Sequence, residues 1–115
     1  MAPELKLKAQ VLVGDAIAIG PGKADLLDAI AKTGSISAAG RSMGISYRRA
    51  WLMVDAMNRL FAEPLVQTTR GGRGGAQLTQ AGQAALGAYR DLQGAMRNGT
   101  DGPAGRLLEM LKACD

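Results

Sequence analysis

The stretch GSISAAGRSMGISYRRAW, residues 34–51, constrains the fold of this chain more than any other. Ala38 and Ala39 are small enough to let two helices approach closely, and Gly44 can take the left-handed backbone conformation that often ends a helix. Ser35 or Ser37 is placed to cap the first helix and Ser46 the second, since a serine hydroxyl accepts a hydrogen bond from a free N–H of the first turn. Ile45 tucks inward where the chain reverses. The pattern predicts a helix-turn-helix over residues 35–62. A plain helical hairpin inside an all-helical core would produce the same local signals, so the flanking elements decide between them.

Those flanks add strands to the helices. Leu5, Leu7, Ala9, Val11 and Val13 alternate with Lys6, Lys8 and Gln10, and Gly14-Asp15 interrupts before Ala16 to Ile19, which predicts a strand or short hairpin over 5–19. After Gly20-Pro21-Gly22, Leu26, Leu27, Ile30 and Ala31 fall at helical spacing, with Gly34 as the stop. On a helical wheel for the segment from Tyr47, Ala50, Trp51, Val54, Met57 and Phe61 share one direction. Arg48, Asp55 and Arg59 lie opposite, with Arg49 on the flank. Trp51 reads as core rather than as a platform for stacking bases, and Asn58, among the apolar positions, as a polar tie from helix to loop. Asp25 and Asp28 read as a solvated face of the first helix. Pro64 closes the helix from Tyr47. A hairpin with a basic glycine tip, RGGRGG, is expected over 65–79, followed by a Thr79-capped helix over 80–97, a Gly/Pro-containing linker over 98–105 and one or two final turns. The expected fold class is α+β: a single winged helix-turn-helix domain over 1–115, mainly helical, with a β-hairpin wing, an N-terminal strand or hairpin and a long C-terminal helix.

Charge and residue usage narrow the function. The net charge is +4. Residues 46–80 hold five arginines against Asp55 and Glu63, whereas the segments on either side are nearly balanced, so the excess lies in the band that holds the second helix and the wing. Such a band suits a polyanion. With no histidine and one cysteine, Cys114, neither a Cys/His zinc site nor an intramolecular disulfide can form. The stretch IAIGPGKA fails as a phosphate loop because Ile17 stands where glycine is required and Ala24 where Ser or Thr is required. No catalytic machinery is visible, and an enzyme is not expected. Nor does the N-terminal apolar run reach a membrane span or form an export signal, which makes the cytoplasm the expected compartment.

Five motifs, TGSIS, GISYRRAW, the Met57-Asn58 pair, the glycine-rich wing tip at 71–75 and LT-x-x-G at 78–82, occur together within residues 20–89. In this combination the segment resembles the N-terminal DNA-binding domain of ModE-type molybdate-responsive transcriptional regulators, which is similar to the winged helix of LysR-type regulators. The resemblance implies a dimer that places the helix from Ser46 in the major groove of a palindromic operator. In that family molybdate or tungstate binds in separate C-terminal domains, for which 115 residues leave no room. A standalone regulator is therefore expected, without a cofactor and without the family's usual effector site. The expected DNA-contacting residues are Arg48 and Arg49, with Ser46 and Tyr47 beside them, Arg70 and Arg73 from the wing, and Ser35 and Ser37 as phosphate ligands. The expected partners are double-stranded DNA and a second copy of the chain, or a longer regulator in a heterodimer. Two other readings stay open: a winged helix that docks another protein, and an oxyanion sensor with its ligand at a dimer interface.

Overall fold

The structure, a computed structural model, describes residues 2–69 and 75–112. Two short strands, β1 (Val11–Val13) and β2 (Ala16–Ile19), are followed by three helices, α1 (Pro21–Thr33), α2 (Ile36–Met43) and α3 (Tyr47–Leu60). The hairpin strands β3 (Val66–Thr68) and β4 (Ala76–Leu78) and the long helix α4 (Gln80–Glu109) complete the chain. The architecture is the expected winged helix-turn-helix.

α1 is the centre of the core. Pro21 opens it, Gly34 ends it at φ 77°, and Ala24, Leu26, Leu27 and Ile30 are buried between the ends. Each fully buried aliphatic side chain of leucine size contributes about 1.5–3 kcal/mol relative to exposure. Ile36 and Ala39 of α2, Ala50, Val54 and Met57 of α3, Leu65 and Val66 before and in the wing, and Tyr89 of α4 close around it. Among the described residues no helix is long and apolar enough to cross a membrane.

Two expectations are corrected. Alternation from Leu5 predicts a strand, yet pairing begins only at Val11: β1 and β2 turn about Gly14, at φ 60°, in the register Leu12↔Ile17 and Val13↔Ala16. β2 is only four residues long and offers no partner to residues 5–10, so an alternating pattern there makes no ladder. The second correction is larger. The segment 98–105, expected as a linker after a helix ending at 97, lies within α4, which continues through Pro103 to Glu109. Proline removes one backbone donor and glycines weaken a helix, yet neither interrupts α4, whose far half borders a cleft beneath the N-terminal segment. Met96, Thr100, Ala104 and Leu108, spaced by four, line it opposite Leu5 and Leu7.

Candidate nucleic-acid interface

Close backbone approach sets the angle between α2 and α3. A Cβ added to Gly40 would lie 3.3 Å from the Ile45 carbonyl oxygen and 3.5 Å from Ala50 Cβ, so Gly40 and Ala50, together with buried Ala39, form the tight crossing. Sequence reasoning assigned that role to Ala38 and Ala39; Ala38 is only half-buried. Gly44 adopts φ 71° and ends α2, and Ile45 N–H donates to the Gly40 carbonyl at 3.0 Å. Ile45 packs half-buried against the core.

Each expected cap is present. Ser35 Oγ accepts from Ala38 N–H at 2.9 Å, which identifies Ser35 rather than Ser37 as the cap of α2. Ser37 Oγ instead accepts from the Arg41 guanidinium at 2.9 Å. Ser46 Oγ accepts from Arg49 N–H at 3.0 Å and starts α3. Both cap hydroxyls keep a proton to donate, because capping uses them only as acceptors.

The first turn of α3 is presented to solvent. Tyr47, Arg48 and Arg49 are exposed, and neither arginine takes part in the ion pairs found among the described residues, which join Asp28 to Lys32, Asp55 to Arg59 and Asp25 to Arg90. The two arginines point to different surroundings. Arg48 lies on the outward face, whereas Arg49 lines a cleft with Lys8, Gln10, Lys23 and Met53 at the start of α1. Burial lowers the Lys23 ammonium below its ordinary pKa of 10.5. Sequence reasoning missed this basic grouping, since its members are distant in the chain and only the fold gathers them. Tyr47 stands edge-on to Trp51, with ring centroids 6.3 Å apart and planes at 82°. Trp51 is half-buried at the rim of the core, less enclosed than its wheel position suggests.

The wing is anchored at its base. β3 and β4 pair as Val66↔Leu78, Gln67↔Gln77 and Thr68↔Ala76, and Thr69 N–H donates to the Gly75 carbonyl at 2.8 Å. A Cβ at Gly75 would lie 2.9 Å from Thr69 Oγ1, so a larger residue there would have to turn the Thr69 hydroxyl aside. Ala76 N–H donates to the Gly34 carbonyl at 2.8 Å, which ties the wing to the turn carrying Ser35. Arg70 and Arg73 lie outside the described residues, as does Cys114.

Asn58 holds the other side of the wing base. Its Oδ1 accepts from Leu65 N–H at 2.8 Å and Val66 N–H at 3.1 Å, and its Nδ2 donates to the Val66 carbonyl at 3.0 Å. The amide thus replaces a missing strand partner for three backbone groups, in the role its position among apolar residues predicts.

Comparison with known proteins agrees with this architecture. Residues 23–83 match the family described as bacterial regulatory helix-turn-helix protein, lysR family. The chain is 44% identical over 80 residues to the molybdenum-pterin-binding protein MopA of Rhodobacter capsulatus, covering 68% of this chain and 30% of that protein. It is 41% identical over 87 residues to the molybdenum transport protein ModE of Azotobacter vinelandii, covering 74% and 32%. The chain thus spans about a third of the length of these relatives. Among solved structures, the DNA-binding domain of CbnR in complex with DNA superposes with a TM-score of 0.59 at 26% identity, covering 74% of this chain and 95% of that one. The matched segment holds the helix-turn-helix and spans more than half the sequence, and the chain belongs to the lysR family of bacterial regulatory helix-turn-helix proteins.

Proposed function

We propose that the protein is a ModE-like transcriptional regulator that binds a palindromic operator in double-stranded DNA as a homodimer. The observation that carries this reading is the Ser46-capped first turn of α3, where Tyr47, Arg48 and Arg49 stand exposed and neither arginine is in an ion pair among the described residues. Arg48 and Arg49 contact base edges or phosphates, Ser35 and Ser37 contact phosphates at the start of α2, and Arg70 and Arg73 hold the backbone from the wing. The structure of CbnR with DNA and the names of the molybdenum-related relatives support the reading, and they point to genes of molybdate or related oxyanion handling as the regulated set.

Dimerisation follows from the energetics of so small a footprint. A single winged helix touching few phosphates would bind at about 10⁻⁴ to 10⁻⁶ M, as non-specific complexes do, and a second half-site multiplies affinity through effective concentration. α4 and the N-terminal hairpin supply the surface. Only Gly82 and Tyr89 of α4 are buried within the monomer, while Leu92, Val11, Leu12 and Val13 remain exposed.

The test is an anisotropy titration against a palindromic and a scrambled duplex across a salt series. The expected result is palindrome-dependent binding with a steep salt slope. Arg73→Ala should flatten that slope by about 0.9 for each phosphate the side chain no longer neutralises. Arg48→Ala should weaken operator binding by about 1–3 kcal/mol and relax specificity if the side chain reads a base. Weak binding, equal on both duplexes, would favour a protein-docking winged helix instead.

A further inference from the structure

With Ala50, Val54 and Met57 turned into the core, the opposite direction on α3 belongs to Arg48, Leu52 and Arg59. Leu52 occupies the middle of that outward face and is 57% exposed. Arg48 precedes it by one turn. Asp55 follows, its carboxylate held by Arg59 at 3.0 Å, which removes it as a competitor for the same surface. An exposed leucine alone says little, because apolar atoms make up more than half of an ordinary surface. Its position says more. The first and second turns of this face are the part of a helix-turn-helix that enters the major groove. A side chain there without a hydrogen-bonding atom can recognise only one base-edge feature, the C5-methyl group of thymine. Tyr47, the other exposed apolar side chain of α3, lies about 140° away around the axis and leans on Trp51, so it does not share this contact.

We infer that Leu52 is a specificity-determining residue that seats against a thymine methyl in each half-site, one helical turn beyond the contact made by Arg48. The inference rests on the DNA-binding reading above, but it can fail while that reading stands.

The experiment begins by enriching duplexes from a random pool with the wild-type protein. The winning duplex is then remade with deoxyuridine for every thymidine, which deletes the methyl groups and leaves every Watson–Crick bond. The wild type should lose about fourfold in affinity per half-site, the value of one buried methyl-sized group, hence about fifteenfold for a dimer. Leu52→Ala should bind the thymine duplex more weakly and show almost no further loss on uracil. Leu52→Asn should shift the enriched sequences from thymine toward adenine at one position per half-site, since asparagine pairs with the adenine edge. Both variants should keep the wild-type melting temperature, because the side chain is not part of the core. Equal wild-type affinity for both duplexes would overturn the inference, as would a full uracil penalty retained in Leu52→Ala. Failure of the wild type to enrich any sequence would overturn the DNA-binding reading and this inference with it.

Discussion

Gly82 and Gly87 lie five residues apart in the same helix, and Gly→Ala should have opposite effects at the two sites. In an exposed helix interior alanine is better than glycine by about 1 kcal/mol, because glycine loses more backbone entropy on folding. Nothing lies within 4 Å of a Cβ built on Gly87, so Gly87→Ala should raise stability by about that amount. At Gly82 the new Cβ would fall far inside van der Waals contact with the Leu65 carbonyl oxygen and 3.0 Å from its carbon. The obstacle is backbone and cannot rotate away. Relief requires α4 to separate from Leu65, and that residue is held from both sides. Thr79 N–H donates to the Leu65 carbonyl at 2.9 Å, Thr79 Oγ1 donates to the Pro64 carbonyl at 2.7 Å, and Asn58 accepts from Leu65 N–H. Overpacking of a well-filled site costs about 1–3 kcal/mol. Breaking two of these hydrogen bonds adds about 1–3 kcal/mol more. After subtracting the helix-propensity gain, Gly82→Ala should destabilise by about 1–5 kcal/mol. At about 4–8 °C per kcal/mol for a domain of this size, thermal melting should fall by at least about 4 °C, while Gly87→Ala rises by a few degrees. Urea denaturation of the three proteins in parallel measures both signs. A Gly82→Ala protein as stable as the wild type would refute the close-approach reasoning.

Further predictions concern the polar ties. Asn58→Ala leaves three backbone groups of Leu65 and Val66 without partners and should cost about 2–4 kcal/mol by urea denaturation. Asn58→Asp should fare little better, because a carboxylate oxygen would then face the Val66 carbonyl where an N–H donor stood. Tyr89→Phe removes the hydrogen bond from the phenol to the Ala9 carbonyl, 2.8 Å long, and should cost about 1 kcal/mol. Burial raises the Tyr89 pKa above its ordinary 10.0, with Arg90 opposing and Asp25 adding. The protonated phenol is therefore the form that folding favours. Its stabilisation is complete below pH 10.0 and is lost as pH rises through the raised folded value. Melts across the alkaline range should show that loss in the wild type and a smaller one in Tyr89→Phe.

Short-range signals made the helix-turn-helix legible. Gly44 and Ser46 act within four residues of themselves, and both act as their chemistry predicts. Asn58 was legible for a different reason, since an amide on an apolar face must find partners within reach. Other features depend on what lies across the fold. Nothing local to Gly40 marks it as the crossing point with Ala50, and nothing in LT-x-x-G says that its glycine meets Leu65. The run from Leu5 has a strand's alternation but no neighbour to pair with before Val11. Residues 98–105 have a linker's composition, yet Thr100 and Ala104 continue the face shared with Met96 and Leu108. Propensity described each segment in isolation, and packing decided the outcome.

The wing's placement shows how this packing bears on the interface. Three elements meet at the wing base through directional bonds: α3 through Asn58, the cap of α4 through Thr79, and the turn after α1 through the Gly34 carbonyl. Two of them converge on Leu65, a fully buried residue just before β3. Hydrogen bonds fix direction as well as distance, so the angle between the wing and the arginine-bearing helix is set at this junction rather than by the turn at Gly44 alone. A substitution at Asn58 or Gly82 therefore changes the spacing between the two basic elements without touching either. A duplex presents its phosphates at fixed spacing, so such a change should reduce affinity even when Arg48, Arg49 and the wing arginines are intact.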